Sequence, residues 1–342
     1  MLRTPTIALL STIALLGALL TSCAPAIHPM GPPVTEPRIE AARPADAAIV
    51  AADGARLRLQ TWRPESKPRA VILALHGFND YANAVALPAA YWAAHGIMTY
   101  AYDQRGFGRA PHRGEWAGTA AMTDDLRTAA RLLKGRHPDV PLFLLGVSMG
   151  GAVAMAAMAE SRVPGVAGAI LVGPAVWGRA YMNPFERGGL WLLFNTMPFL
   201  TLTGEGLNRL PSDNIPMLRA LGRDPLVIRH TRIDAIKGLV DLMDAAAAAG
   251  PRLDHTKILM IYGLKDEIVP KKPVLEAMRS LPPLPGTVRA LYESGWHMML
   301  RDLKAEIVWR DIAGWIEGAT APLPSGADRR AAAILAADRD RD

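Results

Sequence analysis

At 342 residues, half of them hydrophobic, the chain can bury a full core in one large domain or two ordinary ones, which excludes a disordered or fibrous polymer. Its formal charge of +6, from 38 basic and 32 acidic residues, is spread without a dense Lys/Arg block, so no nucleic-acid partner is expected. A single cysteine excludes any internal disulfide.

At the N-terminus Arg3 precedes an apolar run from Thr6 to Leu20, short for a permanent span and flanked as in a secretory signal. The run ends in Leu20-Thr21-Ser22-Cys23, which resembles the lipobox of bacterial lipoproteins. That resemblance implies export, with residues 1–23 as signal peptide and Cys23 lipidated and anchored in the membrane of the bacterial envelope. Ala24, in place of Asp, favours the outer over the inner membrane. Ala24-Pro25-Ala26 offers the alternative, cleavage by an ordinary signal peptidase and release of a soluble periplasmic or secreted protein. Residues 24–46, rich in Pro and Ala, read as a tether.

From residue 47 onward short apolar strands alternate with helical stretches. "RLRLQTW" (residues 56–62) alternates as an edge or antiparallel strand does, whereas "AVILALH" (70–76) is continuously apolar, the pattern of a strand covered on both faces. Residues 81–96 read as a helix stopped by glycine, "IMTYAYD" (97–103) as the next strand and 119–136 as the next helix. Another buried strand, "VPLFLLG" (140–146), leads into a helix at 149–161 and the strand "AGAILVG" (167–173). The alternation then breaks. Residues 174–249 carry several prolines, no strand pattern and apolar clusters such as "LWLLFNTMPFL" (190–200), which marks an inserted helical cap. It resumes with "KILMIYG" (257–263), a helix, "TVRALYE" (287–293) and a final helix near 303–318. The tail, residues 319–342, is dominated by Ala, Arg and Asp and reads as disordered or weakly helical. The fold class is therefore α/β, a mostly parallel sheet with helices on both faces, its core in residues 47–173 and 250–318.

Ser148 stands in Gly146-x-Ser148-x-Gly150, between a buried strand and a helix, the context of a nucleophile held on a sharp turn. A serine hydroxyl needs a base, and the base needs an acid to fix its tautomer. In the order Ser, acid, His, Asp266 follows the strand at 257–263 and His297 follows the strand at 287–293; Glu267 is the alternative acid. His76 opens "HGF" after the first parallel strand, where the backbone N–H of Phe78, with that of Met149, would form an oxyanion hole.

The stretches "LHGFND", "DQRGFGRA", "GVSMGG", "YGLKDEIVP" and "SGWHMML", in this order, resemble the α/β-hydrolase superfamily. More narrowly they resemble the monoacylglycerol lipase and lysophospholipase-like group, which includes serine aminopeptidase-like members. The resemblance covers residues 47–318 and implies a capped α/β-hydrolase with Ser148, Asp266 and His297 as triad, no metal and no organic cofactor. Two departures blur the subfamily: Val147 stands where many members carry His, and Asn79 where many carry Gly. Asp103 and Arg105 match a family motif near the site and are expected to brace loops.

The expected reaction is hydrolysis of a carboxylic ester, with a single-chain lipid such as a monoacylglycerol or lysophospholipid as the small-molecule partner. Trp191, Phe194 and Phe199 in the cap fit three roles: lining an acyl channel, facing the membrane, or forming the cap's own core. The rivals are a short-chain esterase, a serine aminopeptidase, for which no conspicuous acidic cluster is present, and a non-catalytic envelope lipoprotein.

Overall fold

Runs of apolar residues with no polar face become strands with no exposed face. The computed structural model describes residues 25, 27–41, 47–204, 208–318 and 322–337. In the first half of the chain these form β1 (Arg38–Glu40), β2 (Ala48–Val50), β3 (Arg56–Trp62), β4 (Ala70–Leu75), α1 (Ala86–Ala94), β5 (Ile97–Tyr102), α2 (Thr119–Arg136), β6 (Leu142–Val147), α3 (Met149–Glu160) and β7 (Val166–Val172). An inserted region follows, with α4 (Pro184–Thr196), β8 (Thr201–Leu202), α5 (Ile215–Leu221), β9 (Thr231–Arg232) and α6 (Ile233–Ala247). The chain then returns to the sheet with β10 (Ile258–Gly263), α7 (Lys271–Ser280), β11 (Val288–Tyr292), α8 (Ala305–Ile316) and α9 (Ala327–Ala337).

The sheet has nine strands in the order β1-β2-β3-β5-β4-β6-β7-β10-β11. The pairs β1/β2, β2/β3 and β3/β5 are antiparallel, and from β5 to β11 every pair is parallel. Alternate residues feed opposite cores: Val71, Leu73 and Leu75 of β4 join the face covered by α2, α3, α6 and α7, while Ala70, Ile72 and Ala74 join the face covered by α1 and α8. Strand order reverses between β4 and β6, so the carboxyl ends of these two strands open a crevice at the point where ligands bind in such sheets.

Three segments correct the reading of the sequence. Within residues 24–46, expected to be a free tether, β1 pairs with β2, Ile39 packs on the core, and Ile27 bridges to Trp116. A three-residue strand is too short to show a period, and it forms here because β2 offers an edge. Within 319–342, expected to be disordered or weakly helical, α9 packs on β11 with Ala327, Ala331 and Leu335 buried at four-residue spacing. Arg330 donates from Nη1 to the Leu291 carbonyl of β11 (2.9 Å), so α9 covers the last strand of the sheet. The inserted region, read as free of strands, contains the two-residue pair β8/β9 outside the main sheet. Cys23 and the signal segment lie outside the described residues. No helix among the described residues is long and apolar enough to cross a membrane.

Candidate active site

The turn from β6 to α3 holds Ser148 at φ +51° and ψ −113°, a conformation that an L side chain rarely adopts. The surroundings over-determine it. Ser148 N–H donates to the Val172 carbonyl (3.0 Å), and the Ser148 carbonyl accepts from Ala152 N–H (3.1 Å) and Ala175 N–H (3.0 Å). The flanking glycines are required by contact: a Cβ on Gly146 would lie 2.5 Å from the Gly150 carbonyl oxygen, and one on Gly150 would run into the Leu75 carbonyl.

Asp266 and His297 arrive on the loops after β10 and β11 and meet at 2.8 Å, His297 Nδ1 to Asp266 Oδ2. The Asp266 side chain is fully buried and that of His297 is 9 % exposed. The other Asp266 oxygen accepts the N–H groups of Ile268 (2.8 Å) and Val269 (2.9 Å), so the carboxylate is held in one orientation. With Nδ1 turned to the acid, Nε2 is left as the basic atom. Glu267, the alternative acid, turns away, and its carboxylate accepts Leu210 N–H (2.7 Å) from the inserted region.

The loop after β4 is fixed by His76, which is buried among the strand ends. Gln104 N–H donates to His76 Nε2 (3.0 Å), which leaves the proton on Nδ1 to donate to the Gly77 carbonyl (2.8 Å). Burial holds this imidazole below its usual range, so it stays neutral as a brace. Among the described residues, neither Phe78 N–H nor Met149 N–H has a protein acceptor, and Met149 opens a helix, where orphan amides favour negative charge. Asn79 has φ +64°, a left-handed conformation that Asn tolerates better than other residues with a Cβ.

Ser148, Phe78 and His297 line one cavity of about 560 Å³. Its apolar wall comes from Trp177, Met182 and Leu190 and from one face of α6, Ile236, Leu239, Val240 and Met243. Val147 lies on the wall as well, and the Asp80–Arg301 ion pair supplies its charged part. The structure does not bring Trp191, Phe194 or Phe199 to this cavity. Trp191 is 67 % and Phe199 52 % exposed, and Phe194 lies under the Lys237 ammonium, 5.0 Å from its ring centre. Of the wall residues in the inserted region the sequence singles out only Leu190, in the apolar cluster at 190–200; the helical spacing of Ile236, Leu239, Val240 and Met243 is the signal that could have found the α6 stripe.

Asp103 and Arg105 brace loops, as expected. Asp103 accepts from Ala82 N–H and Arg109 N–H, both at 2.9 Å. Arg105 makes two forked pairs, to Asp125 (2.7 and 2.9 Å) and to Asp53 (2.6 and 3.0 Å). The guanidinium holds the Asp53 carboxyl down to about 2, whereas burial pushes Asp125 up to about 6.

Among the described residues one group of side chains has metal-ligating atoms within reach of one another: His28, His112 and Glu115. The two imidazoles stack at 3.8 Å with 6° between their planes, so no single ion lies in both ring planes, and His28 Nε2 pairs with Glu115 instead (2.6 Å).

Residues 66–304 match the family of serine aminopeptidase S33. The chain is 27 % identical over 278 residues to the monoacylglycerol lipase of Mycolicibacterium smegmatis, covering 77 % of this chain and 93 % of that protein. It is 27 % identical over 277 residues to the monoglyceride lipase of Rattus norvegicus, covering 78 % and 89 %. Among solved structures it resembles a soluble variant of the monoglyceride lipase of Saccharomyces cerevisiae in complex with a substrate analogue, with a TM-score of 0.68, 20 % identity, and coverage of 87 % of this chain and 100 % of that one.

Proposed function

The chain belongs to the serine aminopeptidase S33 family, and on that premise we propose that it cleaves the ester of a single-chain lipid, a monoacylglycerol or lysophospholipid, through an acyl-enzyme on Ser148. The observation that carries this reading is the buried His297–Asp266 pair at 2.8 Å, opening with Ser148 onto one largely apolar cavity.

His297 Nε2 takes the Ser148 proton as Oγ attacks the ester carbonyl, and Asp266 stabilises the imidazolium that results. The free N–H groups of Phe78 and Met149 receive the developing oxyanion. His297 then hands its proton to the leaving alcohol, and water activated by the same imidazole releases the fatty acid and restores Ser148. No metal or organic cofactor enters these steps.

The cavity supports an amphiphilic substrate. Its apolar wall suits an acyl chain, and the Asp80–Arg301 pair offers both acceptor and donor to a polar head group. The aminopeptidase alternative on the same triad requires a free carboxylate for the substrate's amino terminus. Asp80 is paired with Arg301, while Glu186, on the cavity lining, has one oxygen engaged by the Asn183 N–H of its helix cap (2.9 Å) and is the carboxylate such a substrate would use. A short-chain esterase is the other alternative, and a non-catalytic envelope lipoprotein fits least well with the buried acid–base pair. Turnover of long-chain 1-monoacylglycerol, lysophosphatidylcholine and aminoacyl-anilide, compared between wild type and Ser148→Ala, tests the reading. Lipid-ester turnover lost in the variant is expected; anilide turnover without ester turnover would establish the peptidase.

We also place the protein at the bacterial envelope, anchored by a lipid on Cys23, in the outer rather than the inner membrane, with the soluble exported form as the alternative. The apolar residues that the inserted region exposes, Phe185 at 91 % and Trp191 at 67 %, support a membrane-facing cap. Cys23→Ser is expected to abolish incorporation of radiolabelled palmitate; unchanged labelling would refute the anchor.

A further inference from the structure

The residues on both sides of His297 are tied to the inserted region, Met298 directly and Trp296 through Asp302. Met298 N–H donates to the Pro211 carbonyl (2.8 Å), and Trp296 N–H donates to Asp302 Oδ2 (2.8 Å). The other Asp302 oxygen accepts the Ser212 hydroxyl at 2.6 Å, with Ser212 fully buried and Asp302 8 % exposed. Asn214 Nδ2 donates to the Arg301 carbonyl and Leu303 N–H to Asp213, both at 2.9 Å. Just upstream, Leu210 N–H and the Arg209 guanidinium fasten Glu267, the neighbour of Asp266.

We propose that Asp302 is a positioning residue for His297, and that with Ser212 it forms a clasp through which residues 209–214 lock the acid and base loops together. The proposal rests on the Ser148 reading above. A carboxylate taken out of water must satisfy its oxygens, and here the satisfied arrangement fixes the backbone directly before the base. An imidazole displaced by about 1 Å loses on the order of a hundredfold in rate, and neither Asp302 nor Ser212 itself lines the cavity, so loss of the clasp is read chiefly in kcat rather than KM.

Three variants separate the clasp from general stability. Asp302→Ala removes both bonds and is expected to lower kcat about tenfold or more with KM within about twofold. Asp302→Asn can still accept from Trp296 N–H and donate to Ser212, so it is expected to stay within about threefold of wild type, which identifies hydrogen bonding rather than charge as the agent. Ser212→Ala leaves Trp296 held and frees the segment 209–214. By hydrogen exchange, amides of 212–214 and 297–303 are expected to speed up together, while the thermal midpoint stays within a few degrees of wild type. Unchanged kcat in Asp302→Ala, or faster exchange in Ser212→Ala confined to 212–214, overturns the clasp. Turnover in wild type that Ser148→Ala does not reduce overturns the nucleophile instead, and the exchange measurement then still decides the clasp.

Discussion

Ser148 combines a backbone that its side chain disfavours with the position from which that side chain can act. Strain of this kind costs about 1–3 kcal/mol at a single residue. Ser148→Gly adopts φ +51° without a Cβ, so it is expected to lose all ester turnover while its urea midpoint stays at or above that of wild type. A midpoint clearly below wild type would show that the turn is not strained. A second residue-scale prediction concerns Asp53, which Arg105 holds at about 2 against an ordinary 3.8. A depressed carboxyl contributes stability above its unfolded value and loses it as pH falls through the folded one, so Asp53 supplies roughly 2 kcal/mol that disappears between about pH 4 and pH 2. Asp125, pushed up to about 6, acts with the opposite sign in a separate window between about pH 4 and 6, so the two are resolvable. Urea titrations between about pH 4 and pH 2 should show a steeper loss of stability in wild type than in Asp53→Asn; equal slopes would contradict the assignment.

At the scale of elements, α9 is the surprise, and it makes a prediction. Truncation after residue 321 exposes β11 and uncovers Leu291, Ala331's partner surface and the edge carbonyl that Arg330 satisfies. The shortened chain is expected to melt several degrees lower and to aggregate, as read by a thermal scan with light scattering. Melting and scattering like those of the full chain would mean that α9 is ornamental. A weak helix was one of the two expectations for the tail; its packing on β11 escaped the sequence, because an Ala-rich stripe has little hydrophobic signal of its own and burial comes from the strand beside it. The inner strands were legible because they are buried on both faces and need no partner information to be recognised. The strand expected from residue 140 begins at Leu142, since Pro141 has no N–H to give to a ladder. The placement of Ser148, Asp266 and His297 at one end of the sheet was legible because each stands just past a strand. The cavity wall was not, because Trp177, Met182 and Leu190 reach it only through the path of the inserted region, and the same path carries Trp191 and Phe199 outward.

At the scale of the molecule, one edge of a parallel sheet gathers four loops, and one insertion both roofs the cavity and ties down the acid and base loops. The exposed apolar side chains of that insertion and the Cys23 anchor proposed above would set the cavity beside its substrate's own phase. All of this turns on whether Ser148 takes up an acyl group from a long-chain ester. Hydrolysis of p-nitrophenyl esters from acetate to palmitate, by protein lacking residues 1–23, tests it directly against Ser148→Ala. The account predicts an optimum at medium to long chains and no turnover in the variant. Turnover that survives in Ser148→Ala, or that is greatest on acetate and falls steadily with chain length, would contradict it.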